Sequence, residues 1–442
     1  MAHAPTPPRF QTRWQLMPII LTAYSCLVPR EVALPLGSFD LKLYLIVMLL
    51  SVPAMVSTLR RRPLSFTAFD ALAVFVTLWF IVSMSVSTSI AAGFTTGMNV
   101  AFTFGLSYAM GRIFIRSPHD LFTLLVAFLP GIVVAGFLMM LESVTHRAIV
   151  HPIFSVFPGA PPPFEAGEVR LGLMRASGPY VHPILAGLFH AALIPFAIFC
   201  FRSVKYRMMA WYAVLCMIFS VSSAGFLAFL INLIVSFVYI LQKYVHKPLL
   251  RGLWFFSFLA VVFISLSSEG GLMSFVVRRL SLSSASGYYR ILIWQYAGAE
   301  ANTHPLFGIG TRDWIRPAWM QSGTVDSHWL LQAMRYGYPV SIGMAVLIIG
   351  AAIFVALRSN RWSLQRERDI CMAIAFAMVS LVICGLTVLL WEGLLVWLIM
   401  MVGMAVSIGK STNRAPVTLH GRAARPGAHG PQFPSLSKGQ RA

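Results

Sequence analysis

Twelve apolar segments dominate the chain, at approximately 15–29, 40–58, 67–89, 92–111, 121–141, 182–201, 207–222, 224–241, 252–267, 338–357, 370–388 and 391–408. Each approaches the length needed to cross a hydrocarbon core, about 20 residues of helix. In lipid every backbone N–H and C=O must be satisfied within the protein, which leaves helices as the natural form for such runs. Composition agrees: 58% of the 442 residues are hydrophobic and 11% are charged, against roughly 25% charged in a soluble domain. The expectation is an all-α polytopic integral membrane protein with a single transmembrane domain over 1–410. The tail, 411–442, is rich in Pro, Gly, Arg and Ser and reads as a disordered basic end. The N-terminus lacks the short apolar run and small-residue cleavage site of a signal peptide, so no cleaved leader is expected.

The formal charge of +20 raises the question of nucleic acid, and its distribution answers it. Basic residues sit in short clusters between apolar runs, without an aromatic-interleaved basic domain to follow a phosphate backbone. Short cytoplasmic loops collect Lys and Arg. With the N-terminus inside, "LRRRP" (60–62), "GRIFIRS" (112, 116), "FRSVKYR" (202–207), "KYVHKPLLR" (243–251) and "RSNRWSLQRER" (358–368) all fall on the cytoplasmic side. The turns near 90–93, 221–224 and 388–391 hold neither Lys nor Arg. Both termini are therefore expected in the cytoplasm. The five cysteines are odd in number, show no CxxC spacing and lie in or beside apolar runs. They read as small core hydrophobes, with neither a disulfide framework nor a zinc site indicated.

Two connections are long, about 142–181 and about 268–337, and both fall outside. Loops of this length are usually functional or disordered, and these carry aromatic and apolar residues such as "YYRILIWQYA". A helix is expected near 284–301, followed by a turn at "HPLFGIG". The two loops hold nine arginines and no lysine: Arg147, Arg170, Arg175, Arg278, Arg279, Arg290, Arg312, Arg316 and Arg335. A guanidinium grips phosphate oxygens in two-pronged fashion, which points to a phosphate or pyrophosphate ligand. Arg278, Arg279 and Arg335 fit lipid-headgroup snorkelling equally well. The second loop ends in "TVDSHWLLQAMRYGYP", where Asp326, His328 and Arg335 stand within ten residues. Ionisable residues deep in the spans would mark a coupled transporter; here the main acids near apolar runs, Asp70 and Glu392, lie close to the expected membrane faces.

Three runs carry a family resemblance: "RASGPYVHPILAG" (175–187), "YYRILIW" leading to "HPLFGIG" (288–310), and the start of the tenth apolar segment. In these, over roughly 170–400, the chain resembles the O-antigen ligase and polymerase family of bacterial envelope glycosyltransferases. The resemblance implies a GT-C-like ligase/polymerase fold in the bacterial inner membrane. It also implies a metal-independent transfer, without a cofactor, from a polyprenyl-pyrophosphate-linked saccharide to a saccharide acceptor. In a polymerase the acceptor is a second lipid-linked repeat, with a chain-length regulator protein as a conceivable partner; in a ligase it is lipid A core. A polysaccharide or lipid transporter is the alternative from another class. Under the resemblance, Arg290, leading an RxxxW run, holds the pyrophosphate; Arg175, with Arg170 and Arg312, supplies the further phosphate-binding candidates from the arginines of the loops.

Two departures from the family pattern matter. Where many members have Ser-Arg-Gly, this chain has Ala224 in "SVSSAGF". Where the family shows His-Asn-x-Tyr-Leu with a Gly seven residues after the Leu, Leu330 and Gly337 keep the register. That register puts Asp326 at the His position and Trp329 at the Tyr. His328 is two residues later, and residues two apart on a helix do not share a face. Asp326 and His328 are therefore alternative bases unless the helix starts after Asp326. A third reading makes Asp326 only the N-cap of the helix. His182 and His304 each precede proline and are expected to shape the loops.

Overall fold

The computed structural model describes residues 13–36, 39–156, 168–245, 247–267, 284–320 and 323–411. Arg278, Arg279 and the tail beyond Ser411 lie outside the described residues. Helices dominate, and all twelve apolar segments fall on one or two of them: α1 (Met17–Ser25), α2 (Leu43–Leu50), α3 (Val52–Arg61), α4 (Ala68–Ser87), α5 (Met98–Phe114), α6 (Pro118–Thr145), α7 (Pro183–Ala191), α8 (Ile194–Phe199), α9 (Val204–Leu215), α10 (Ser223–Val245) and α11 (Leu249–Ser267) come first. After them come α12 (Ser284–Thr303), α13 (His328–Tyr336), α14 (Tyr338–Arg358), α15 (Gln365–Cys384) and α16 (Glu392–Lys410). Two small antiparallel hairpins, β1–β2 (Ala33–Leu36 with Phe39–Lys42) and β3–β4 (Val169–Arg170 with Leu173–Met174), sit in the connections.

Among the described residues, five helices are long and apolar enough to cross a membrane, or six with α2–α3 counted as one bent span. Several other runs are interrupted for reasons visible in the sequence. Pro53 stands at the start of α3, and the α2–α3 pair bends by 41° there; a proline removes a helical hydrogen bond and kinks the rod. Pro195 likewise opens α8 just after α7 ends.

The last helix is the centre of the bundle: 89% of the apolar window of α16 is buried. It lies against α5 so closely that a Cβ on Gly111 would collide with the Met400 carbonyl, and one on Gly403 with the Tyr108 carbonyl. Small residues permit this backbone approach, which is how helices associate in lipid. At one end of the bundle Asp70 stitches three helices. It closes a capping box with Thr67 on α4, accepts from Arg112 Nε at 2.9 Å and from the Tyr108 hydroxyl at 2.7 Å. Arg112 in turn donates to Ser407 of α16.

The opposite end carries the long connections, and their described residues are folded. In the first, Glu142 accepts backbone N–H bonds from Ile149, Val150 and Gly178 at 3.0, 3.0 and 2.8 Å. His151 bridges the Glu31 carboxylate and the Tyr180 carbonyl. The second contains the expected helix, α12, two residues longer than its predicted end at 301. Leu292, Ile293, Ala297 and Ala301 of α12 form a separate buried cluster with Leu330, Ala333 and Met334 of α13. Gly337, at φ 85, separates α13 from α14; a Cβ there would strike the Leu306 carbonyl. The seven-residue step from Leu330 to Gly337 is thus a structural spacing, one short helix ended by a residue that only glycine fits.

Candidate functional site

Arg170 and Arg175 lie on the β3–β4 hairpin, a two-residue turn with Leu171 and Gly172 both at positive φ, 53 and 77. Such mirror-image turns match the twist of a hairpin. Glu168, just before the hairpin, holds both arginines: Arg170 Nε reaches one carboxylate oxygen and Arg175 Nη1 the other, each at 2.6 Å. These hydrogen bonds outweigh partial burial and hold the Glu168 carboxyl below its ordinary value.

Arg290 comes from α12, a separate element, and joins the same cluster. Burial, and then the charges of Arg170 and Arg290, lower the Arg175 pKa, with Glu168 opposing them. Arg290 Nε stands 3.5 Å from Asp326 Oδ2. The packing of α12 on α13 makes this meeting possible, because Asp326 lies just before α13 begins. Three guanidinium groups thus face two carboxylates, leaving one formal positive charge. The Nε atoms of both Arg175 and Arg290 are buried without a hydrogen-bond partner. Buried donors are nearly always satisfied; Arg175 Nε makes no hydrogen bond and Arg290 Nε has only the long ion pair to Asp326, so this cationic cluster presents an anion-binding geometry.

The structure fixes where the helix at the end of the loop starts. The helix begins at His328, and its N-cap is Ser327, whose hydroxyl accepts from the Leu330 N–H at 3.4 Å. The cap reading of Asp326 is therefore corrected: the carboxylate lies one residue outside the cap and points to Arg290. Asp326 retains 41% side-chain exposure, whereas His328 is fully buried. The His328 backbone N–H binds the Gly385 and Val388 carbonyls, and neither ring nitrogen has a hydrogen-bond partner. Burial pushes this imidazole down to about 4, only partly offset by the Leu390 backbone.

Other expected residues have different surroundings. Arg312 is exposed on the 309–312 turn, donates to the Ile309 carbonyl at 3.2 Å and forms no ion pair with Asp326. Arg335 Nη1 donates to the Gly310 and Arg312 carbonyls, both at 2.7 Å, and pins that turn. His182 caps α7 by accepting from the Ile184 N–H, and His304 sits beside Thr303, both in keeping with loop-shaping roles. Ala224 is buried and offers no charge. Sequence reasoning missed Glu168, the residue that organises the hairpin. Its only signal was an acid two and seven residues before two arginines.

These features define a helical membrane protein with a guanidinium–carboxylate cluster at the end that carries its long connections. No family model matches the chain, and no curated protein matches its sequence.

Proposed function

We propose that this protein polymerises polyprenyl-pyrophosphate-linked oligosaccharide repeats at the outer face of the bacterial inner membrane. In this reading the chain crosses the bilayer twelve times in a GT-C-like arrangement with both termini in the cytoplasm. The observation that carries it is the pair of buried Nε donors without a hydrogen bond, on Arg175 and on Arg290, the latter 3.5 Å from Asp326. Fixed guanidinium groups in a partly water-excluded site stabilise the charge that develops on a departing pyrophosphate. Asp326, exposed enough to meet a substrate, accepts the proton of the acceptor hydroxyl. The hydroxyl oxygen then bonds to the anomeric carbon of the donor sugar. The bond from that carbon to the pyrophosphate oxygen breaks, and the lipid pyrophosphate leaves with the electron pair. His328 is sealed from any sugar and supports the start of α13. The transfer needs no metal in this scheme.

The test is purified full-length protein given a polyprenyl-pyrophosphate oligosaccharide, with products resolved by size. Longer lipid-linked chains support polymerisation. Transfer only to lipid A core would make the protein a ligase, and passage of substrate across the bilayer without a new bond would refute the enzyme reading.

A further inference from the structure

A second feature lies one turn along α13. Gln332 follows His328 by four residues, about 6 Å of helical rise, and lines a cleft of about 200 Å³ between α2, α4, α5, α14 and α16. Gln332 is 8% exposed, and its amide oxygen is buried with no hydrogen-bond partner. Across the cleft stands Glu392, the first residue of α16, held at φ 51. A non-glycine residue in this left-handed region costs on the order of 1–3 kcal/mol and persists only where its surroundings enforce it. The enforcing contacts are the Tyr44 hydroxyl, which donates to the carboxylate at 2.8 Å, and Lys42 Nζ at 3.5 Å.

We propose that this cleft binds the acceptor glycan, with the Gln332 amide and the Glu392 carboxylate accepting hydrogen bonds from its hydroxyl groups. The inference rests on the polymerase reading for the glycan's role, but the chemistry of the cleft selects the ligand class. An anion is disfavoured by Glu392 and a cation by Lys42, which leaves a neutral, hydrogen-bonding molecule. Gln332 and Glu392 offer acceptors, which suit a ligand rich in O–H donors. Phe80 and Phe104, packed on each other, form part of the wall. The neighbouring arginine cluster then positions the donor, and the cleft brings an acceptor hydroxyl towards Asp326.

The test uses full-length protein in lipid nanodiscs. The probe is the glycan freed by mild acid from the lipid-linked oligosaccharides of the source membranes; inorganic pyrophosphate is measured in parallel. The wild type should bind the glycan, and Gln332→Leu should weaken it about tenfold, the worth of one hydrogen bond to a buried acceptor. Asn99→Leu, on another wall of the same cleft, should weaken it as well. Thermal stability of Gln332→Leu should be unchanged or raised, since the substitution removes an unpaired buried oxygen. Arg290→Ala should leave glycan affinity within twofold. Unchanged glycan affinity in Gln332→Leu, absence of glycan binding by the wild type, or loss of affinity only in step with loss of thermal stability would each overturn the proposal. Glycan binding without pyrophosphate binding would uphold the cleft and refute the donor site.

Discussion

Replacing Arg290 with alanine separates the energetics of folding from those of transfer. The only ion pair of Arg290 among the described residues is with Asp326 at 3.5 Å, where the arginine side chain is 14% exposed and the aspartate 41%. At an effective dielectric near 20, two unit charges at that distance attract by about 5 kcal/mol. With Asp326 this open to solvent, the net contribution to stability falls to about 1 kcal/mol or less. The melting temperature of Arg290→Ala should therefore drop by only a few degrees. The effect on transfer is larger. A preorganised donor aimed at developing negative charge is worth about 3–4 kcal/mol, or 10²- to 10³-fold in rate. Arg290→Lys keeps the charge but loses the fork and the Nε–H, so it should recover only part of this, at roughly a tenth of the wild-type rate. The assay is the initial rate of polyprenyl-pyrophosphate release, with thermal unfolding followed on the same preparations. A rate within threefold of wild type for Arg290→Ala, or a stability loss large enough to explain a slow rate, would refute the assignment.

Three further outcomes follow from the fold. Glu142→Gln removes a charged acceptor shared by three backbone N–H groups; it should destabilise the 142–181 connection by about 1–3 kcal/mol, read as faster amide exchange at Ile149, Val150 and Gly178. Gly403→Ala forces a methyl group against the Tyr108 carbonyl. The protein should lose at least about 1–3 kcal/mol, visible as a lowered melting temperature, whereas Gly252→Ala meets nothing within 4 Å and should not. The third concerns pH. His328 takes up its proton at about 4 when folded, against 6.5 ordinarily, so the unfolded chain binds more protons in between. Its contribution is complete above pH 6.5 and declines as pH falls towards 4. His328→Leu should flatten the pH dependence of unfolding in that window, while an unchanged slope would show that the imidazole is not held neutral.

The sequence and the structure agree best where the physics is local or repetitive. The apolar runs foretold the helices, because lipid-facing backbone has no alternative to internal hydrogen bonding. The helix at 284–301 and the turn at 304–310 were legible from their own residues. What could not be read was tertiary. The β3–β4 hairpin turns on Leu171 at positive φ, a conformation that leucine does not advertise. Ser327 rather than Asp326 caps α13, and the distinction depends on Arg290 arriving from α12 to claim the carboxylate. Arg335 looked like a headgroup ligand because its two carbonyl partners lie 23 and 25 residues away. Gln332 gave no sign at all: a polar residue in a short helix is unremarked until its neighbours leave its oxygen buried and unpaired. The arginine supply was plain from composition, but only the fold separates Arg175 and Arg290 from Arg312.

The most direct measurement is a cryo-electron microscopy map of the full-length protein in lipid nanodiscs with undecaprenyl pyrophosphate. The account predicts pyrophosphate density within hydrogen-bonding distance of Arg175 and Arg290, beside Asp326, with the prenyl chain running down the bundle. Pyrophosphate bound at the Asp70–Arg112 end, or a fully lipid-loaded sample with the arginine cluster empty, would contradict it.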